Sequence, residues 1–158
     1  MTEEVTFRHT LPVQLRFNDI DQLGHVNNSV YFAFYDMAKV NYFSAVSPQL
    51  NAGRETGLVI ANVNANFFLP VYLHDEISVQ TVTRAIGNKS LKLLQRIVDS
   101  NCAVKASCEP VLMGIAFRTA QPCDIPASCR AVHAATVGRC ASALSPPIYN
   151  KSRAHYIG

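Results

Sequence analysis

One short stretch of the chain concentrates side chains that can do chemistry. Residues 16–28 read Arg-Phe-Asn-Asp-Ile-Asp-Gln-Leu-Gly-His-Val-Asn-Asn and combine two acids, a histidine, a glycine and three asparagines. A carboxylate can act as a nucleophile or as the base that activates water. Free N–H groups at a helix N-terminus can stabilise an oxyanion, because they point outward and the helix dipole favours negative charge there. The stretch therefore carries groups suited to attack on a carbonyl.

Two predicted elements position this stretch. Before it, every second residue is apolar, which predicts a strand with one buried face: Leu11, Val13, Leu15 and Phe17. After it, residues 29–43 predict a helix that Asn27 or Asn28 can cap. Apolar residues occupy nearly every side of this helix, which predicts that other elements wrap it. Residues 44–57 predict a loop.

Four more strands are predicted after this loop. They are residues 59–68, residues 76–84, residues 91–98 and a last run that ends at Phe117. Pro110 breaks the last run and suggests a bulge or an edge position. Because the turns are short, consecutive strands are expected to pair antiparallel. Ile125-Pro126 then predicts a short helix that Gly138 can end.

The order of these elements indicates an α+β fold. One strand, one buried helix and about four strands in a meander suit the hotdog fold, an antiparallel β-sheet wrapped around one long central helix. We assign residues 1–135 to a single hotdog domain. Residues 136–158 form a C-terminal tail without a clear period, which we expect to be poorly ordered.

Charge narrows the function classes. The 158 residues carry a net charge of +3, and residues 120–158 hold four basic side chains against one acid. The main domain is therefore neutral overall, which argues against a nucleic-acid-binding protein with its basic stripe. Charged residues make up only 16 % of the chain, against a usual share of ~25 %. A low charge is also expected where an oligomer covers part of the surface.

The cysteine spacing and the N-terminal residues allow predictions about metal binding and about cellular localisation. The five cysteines form no CxxC pair, so no metal site and no cofactor are predicted. The start Met-Thr-Glu-Glu is unlike a signal peptide. No run approaches the roughly 18 consecutive apolar residues of a membrane span. We therefore expect a cytoplasmic protein with reduced cysteines.

Residues 19–31 resemble the signature of the 4-hydroxybenzoyl-CoA thioesterase-like hotdog family. Members read D-x-D-x-x-G-x-V here and many read G-H-V-N-N, as this chain does. The resemblance covers roughly residues 10–135 and includes three later motifs, which are Phe68-x-Pro70-Val71, Asp75-Glu76 and Gly87-Asn-Lys-Ser90. It implies hydrolysis of acyl-CoA or related acyl thioesters by a homodimer or homotetramer whose active sites lie at subunit interfaces.

The resemblance also assigns catalytic roles. It implies that Asp21 is the catalytic carboxylate and that the backbone N–H of Asn28 polarises the thioester carbonyl. Some members carry an active His or Tyr at the Asn28 position, so this chain departs from them, whereas a backbone role survives the change. The alternative for Asp21 is a turn or capping residue. Asp19 is interpreted as part of the loop structure.

Five other residues complete the candidate site. His25 can orient Asp21 or assist proton transfer, or it can shape the loop by hydrogen bonds to the backbone. Asn27 and Tyr31 are substrate-binding candidates whose alternatives are helix capping and core packing. Lys89 and Ser90 are further substrate-binding candidates, Lys89 for a CoA phosphate, and the alternative is an ordinary surface lysine.

Three functions remain open from the sequence. The favoured one is an acyl-CoA thioesterase. The second is an acyl-carrier-protein thioesterase; plant-type members read D-x-D-x-N-x-H-V-N-N, and Leu23 stands where their catalytic Asn would be. The third is a hotdog module that binds an acyl ligand or a partner without hydrolysis. A hotdog dehydratase is disfavoured because the chain has no Pro-Gly dipeptide.

Overall fold

The computed structural model describes residues 5–48, 50 and 55–136. The helices and strands of this part are, in chain order, β1 (His9–Val13), α1 (Asn28–Val46), β2 (Thr56–Phe67), β3 (Ile77–Ile86), β4 (Ser90–Asp99), β5 (Val104–Ala116), β6 (Gln121–Pro122) and α2 (Ala127–Thr136). A short 3-10 turn, Phe17–Asp19, lies between β1 and α1.

The strands of the described residues form one antiparallel sheet. Their order is β1-β3-β4-β5-β2, and the short β6 pairs with the end of β5. The long helix α1 packs on one face of this sheet. The predicted α+β hotdog fold is confirmed.

The face of α1 that meets the sheet is buried in two clusters. The first surrounds its N-terminal half and includes Tyr31, Phe34, Tyr35 and Ala38. The second surrounds its C-terminal half and includes Tyr42, Phe43, Leu91, Leu93, Leu112 and Ile125. The aromatic and β-branched residues of α1 are mediocre helix formers, so this packing stabilises the helix.

The predicted pairing of consecutive strands is correct for only part of the sheet. β3, β4 and β5 form the expected meander, but β2 pairs with β5 and not with β3. The nine residues 68–76 separate β2 from β3, which is too long for a tight hairpin. The chain therefore crosses from one side of the sheet to the other, and β2 becomes an edge strand.

The interpretation of Pro110 as an edge residue is wrong. Pro110 is buried within the continuous strand β5, between β4 and β2, opposite Val63. The pairing of β4 with β5 is interrupted beside it, between Lys92 and Gln95. A proline, which has no N–H to donate, fits such an interruption. The suggested bulge does occur nearby, in β2 at Ala61.

The boundaries around the opening stretch also differ from prediction. β1 ends at Val13 and does not continue to Phe17, whose side chain is exposed. α1 continues to Val46, into the predicted loop. The expectation that α1 is wrapped on nearly every side is wrong for a single chain, because one sheet covers only one face of a helix. Phe32, Met37 and Val40 remain exposed.

The short helix predicted after Ile125-Pro126 is confirmed as α2, and a buried histidine joins it to the core. Nε2 of His133 lies 3.0 Å from Ser47 Oγ, and Nδ1 lies 2.9 Å from Thr83 Oγ1. The Tyr42 and Thr83 hydroxyls also form a hydrogen bond of 2.7 Å. Polar bonds therefore connect α2 to α1 and β3. Residues 137–158, which include Gly138 and nearly all of the predicted tail, lie outside the described residues.

This burial predicts a pH-dependent stability. Burial lowers the pKa of His133, so the folded state binds fewer protons than an unfolded chain whose histidine titrates near ~6.5. This contribution to the free energy of unfolding is therefore present above that pH and is lost as the pH falls through the folded-state pKa. In His133→Gln, the difference in urea-unfolding free energy between about pH 7.5 and about pH 5.5 should shrink.

The matched control for this experiment is His74→Gln, at an exposed histidine. It should keep the pH dependence of the wild type, because it leaves His133 and the buried hydrogen bonds of His133 unchanged. The same pH dependence in His133→Gln as in the wild type would contradict the role of His133.

Candidate active site

The loop before α1 is closed by its own backbone. The Asp21 N–H donates to His25 O at 3.1 Å, and the Gly24 N–H donates to Asp21 O at 3.0 Å. Ile20 and Val26 form an antiparallel bridge across its base. Gly24 has φ +81°, in the left-handed region that glycine adopts without strain. The loop is therefore a tight, internally bonded turn.

Asp19 stabilises this loop through hydrogen bonds of its side chain and its carbonyl. Its side chain is buried, and its carboxylate accepts hydrogen bonds from the Arg16 backbone N–H at 2.8 Å and from the Arg16 guanidinium at 3.1 Å. Its carbonyl accepts the Asn27 N–H at 2.9 Å. The interpretation of Asp19 as a structural residue agrees with these contacts, since its carboxylate is already used within the loop.

Asp21 is placed differently from Asp19. Its side chain is half-buried, and Oδ1 accepts the Leu23 N–H at 2.8 Å. No hydrogen bond from the described residues reaches Oδ2. The turn therefore fixes the orientation of the carboxylate through one oxygen and leaves the other for water or a substrate.

The first residues of α1 carry the candidate oxyanion site. The side chain of Asn27 caps the helix and accepts the Ser29 N–H at 2.9 Å and the Ser29 hydroxyl at 2.8 Å. Asn28 is the first helical residue, so its N–H has no partner within the helix. Among the described residues no acceptor for this N–H is found. The capping alternative for Asn27 is observed, and the Asn28 N–H is left for another acceptor.

Tyr31 connects the helix to a second loop. Its side chain is buried, and this burial is the main cause that raises its pKa to about 12, with smaller contributions from the charges of Asp75 and Asp21. A hydrogen bond from the Val71 backbone acts in the opposite direction. The charges of both carboxylates therefore act on the Tyr31 hydroxyl.

The second loop, residues 71–75, was not predicted as part of the site. Val71 O accepts the Val26 N–H at 2.8 Å, and Asp75 Oδ2 accepts the Tyr72 N–H at 2.9 Å. The ring of Tyr72 lies edge-on to His25, with centroids 6.5 Å apart. Asp75 belongs to a motif that carried the family resemblance, but its distance from Asp21 along the chain gave no sign that both charges act on Tyr31.

The side chain of His25 contacts Tyr72 and not the Asp21 carboxylate. It is half-buried, and the described contacts include no hydrogen bond between the imidazole of His25 and the side chain of Asp21. The backbone of His25 closes the loop through its carbonyl. The arrangement therefore supports a structural role for His25, and its predicted part in proton transfer stays a prediction.

Lys89 and Ser90 are not brought near Asp21 in a single chain. Both are exposed at the turn that begins β4, whereas the other end of β4, at Asp99, pairs with Ile77 beside the 71–75 loop. β4 has ten residues, so its two ends lie about 30 Å apart. A single chain therefore keeps Lys89 and Ser90 away from the Asp21 loop.

The described residues contain neither a cluster of metal-binding side chains nor a membrane-spanning helix. No group of three or more His, Cys, Asp or Glu side chains in them could hold a metal ion. None of the helices in this part of the chain is long and apolar enough to cross a membrane.

Comparison with protein-family models assigns this chain to a family. Residues 15–133 match the sequence model of the thioesterase-like superfamily. The chain belongs to this superfamily. The protein is therefore a thioesterase, and the resemblance seen in the opening motif is confirmed.

Three relatives illustrate the match. An acyl-CoA thioester hydrolase, YbgC of Escherichia coli O6:H1, is 24 % identical over 119 residues, which cover 74 % of this chain and 89 % of that protein. The uncharacterized protein YsmA of Bacillus subtilis is 27 % identical over 51 % of this chain, and the match spans only 54 % of its length. A thioesterase of Thermus thermophilus, solved with coenzyme A and Zn, is 30 % identical, covers 80 % of this chain and 97 % of its own, and superposes with a TM-score of 0.69.

Proposed function

We propose that this thioesterase hydrolyses acyl-CoA thioesters to the free acid and CoA. The observation that carries the proposal is a half-buried carboxylate, Asp21, in the loop that leads directly to the free N–H of Asn28 at the start of α1. The coenzyme A in the T. thermophilus structure and the activity named for the E. coli relative support the substrate class.

The reaction follows from these two groups. With Asp21 as base, the carboxylate takes a proton from water while the oxygen adds to the thioester carbon. The carbonyl electrons move to oxygen, where the Asn28 N–H and the helix dipole stabilise the negative charge. The carbonyl then re-forms, the C–S bond breaks, and the CoA thiolate accepts a proton. With Asp21 as nucleophile, an acyl-enzyme anhydride forms first and water cleaves it.

The neighbouring residues position this pair. Asn27 sets the first residue of α1, and Tyr31 holds the helix against the 71–75 loop. In this proposal Asn27 and Tyr31 contribute to catalysis by positioning Asp21 and Asn28. His25 supports the loop through its carbonyl and its contact with Tyr72.

The assembly proposed for this enzyme is a homodimer or homotetramer. Lys89 and Ser90 lie too far from Asp21 in one chain, so a second copy must supply them to bind CoA. β2 is an edge strand of twelve residues whose inner face exposes Ile60, Val63 and Phe67. Exposed apolar residues beside an unpaired strand edge are typical of an interface.

The first test compares the hydrolysis of several substrates and the activity of an Asp21 variant. Release of free thiol should be measured for a panel of acyl-CoAs and for acyl-carrier-protein thioesters. We expect hydrolysis of acyl-CoAs, and a fall of ~10² or more in kcat for Asp21→Asn, which keeps size and polarity but removes the base. Preference for the carrier-protein thioesters would favour that alternative. Binding without hydrolysis by folded protein would favour the non-catalytic module.

A pair of variants tests the backbone role of Asn28. Asn28→Ala keeps the N–H and should retain near-normal kcat. Asn28→Pro removes the N–H at the first helical position, where proline is well tolerated. Asn27 has φ −62° and ψ 136°, a conformation allowed before proline. We expect kcat of the folded Pro variant to fall by ~10²–10³, as on loss of an oxyanion donor. Equal activity of the two variants would contradict this role.

The assembly can be tested at the edge strand. Val63→Lys places a charge on the exposed inner face of β2, and we expect light scattering to show monomers and the activity to be lost. Thr10→Lys adds the same charge on β1, at the opposite edge of the sheet, and should leave the oligomer intact. A wild-type protein that is monomeric and active at micromolar concentration would disprove the shared site.

A further inference from the structure

An apolar groove runs between α1 and the edge strand β2. On β2, Ile60, Val63 and Phe67 are opposite Leu112, Pro110 and Ala106 of β5, whose buried side chains show that this is the α1 side of the sheet. The three β2 side chains are nevertheless 37–42 % exposed, because no described element covers the groove. We call this groove the α1–β2 seam.

The seam begins at the proposed active site. Phe67 lies edge-on to Tyr31, with ring centroids 5.1 Å apart. Phe32, one turn after Asn28, is 40 % exposed. An acyl chain whose thioester carbonyl lies at the Asn28 N–H can therefore enter the seam directly. At its far end the seam leads to a cavity of about 290 Å³ lined by Lys39, Val40, Phe43, Leu50 and Leu58.

An ion pair separates these two ends. Lys39 Nζ lies 2.6 Å from Asp36 Oδ1; the Lys39 side chain is 16 % exposed and the Asp36 side chain is 61 % exposed. Positions 32, 36, 39 and 43 share one side of a helix, so the pair lies between Phe32 and Phe43. Lys39 lines the far cavity together with Leu58 of β2, so its side chain lies on the β2 side of α1.

We propose that the Asp36–Lys39 ion pair ends the acyl-binding site, so that the substrates are short- and medium-chain acyl-CoAs. Asp36 lies eight residues after Asn28, a rise of about 12 Å. An extended alkyl chain advances about 1.25 Å per methylene, the projection of a ~1.5 Å C–C bond. The seam before the pair therefore accepts about ten carbons. This inference rests on the proposed function.

The limit has a physical cause. Each methylene that enters the apolar seam favours binding about fourfold. A chain that continues to the far cavity must cover Asp36 and Lys39 and remove water from both charges, which opposes binding. The gain from chain length should therefore stop at the pair.

The experiment compares chain-length profiles. For the wild type, kcat/KM should rise with acyl length to about ten carbons and then fall by about tenfold at fourteen, because a longer chain must remove water from the charges of the ion pair. The double variant Asp36→Leu/Lys39→Met joins the seam to the far cavity and should hydrolyse fourteen-carbon substrates nearly as well as ten-carbon ones. Lys92→Met/Glu109→Leu is the control, because it removes a 2.9 Å ion pair from the outer face of the sheet and should keep the wild-type profile.

Two readouts separate this inference from the proposed function. Calorimetric binding of the same acyl-CoAs to Asp21→Asn measures the chain-length preference without turnover, and affinity should reach a maximum near ten carbons and be weaker at sixteen. Chain-length-dependent binding with no hydrolysis by the wild type would overturn the proposed function and leave the inference supported. Equal binding of ten- and sixteen-carbon chains, or an unchanged profile in folded Asp36→Leu/Lys39→Met, would overturn the inference.

Discussion

The start of α1 is the constraint on which the rest of this structure depends. Three hydrogen bonds set it: Asn27 accepts the Ser29 N–H, the Asn27 N–H donates to Asp19 O, and the Val26 N–H donates to Val71 O. A shift of one residue would rotate every helical side chain by about 100°. The Asn28 N–H would then lose its place beside the Asp21 loop, and Tyr31 would leave the core.

A second constraint follows from the shape of the fold. One sheet buries only one side of a helix, so α1 and the edge strand β2 keep apolar side chains at the surface. In the proposed assembly and substrate complex, the same exposed side chains would form both the subunit interface and the wall of the acyl site.

Much of the fold could be predicted because its causes are local. The helical period of residues 29–43, the cap at Asn27 and the turn at Gly24 each depend on neighbours a few residues away. The predictions failed where strand pairing depends on segments that are far apart in the sequence. Pro110 suggested an edge, but an interruption in the β4 pairing accommodates it inside the sheet. β2 did not pair with β3, because residues 68–76 are long enough to cross the sheet.

The sequence by itself determined the chemical groups of the site and the place where α1 begins, since capping, turn formation and periodicity are short-range interactions. Only the tertiary structure decided that the 71–75 loop contacts Tyr31, that Lys89 lies at the end of β4 opposite to the 71–75 loop, and that Lys39 lines a cavity with Leu58 of β2. These relations depend on which strands become neighbours. That choice is made by the burial of apolar surface between segments far apart in the chain.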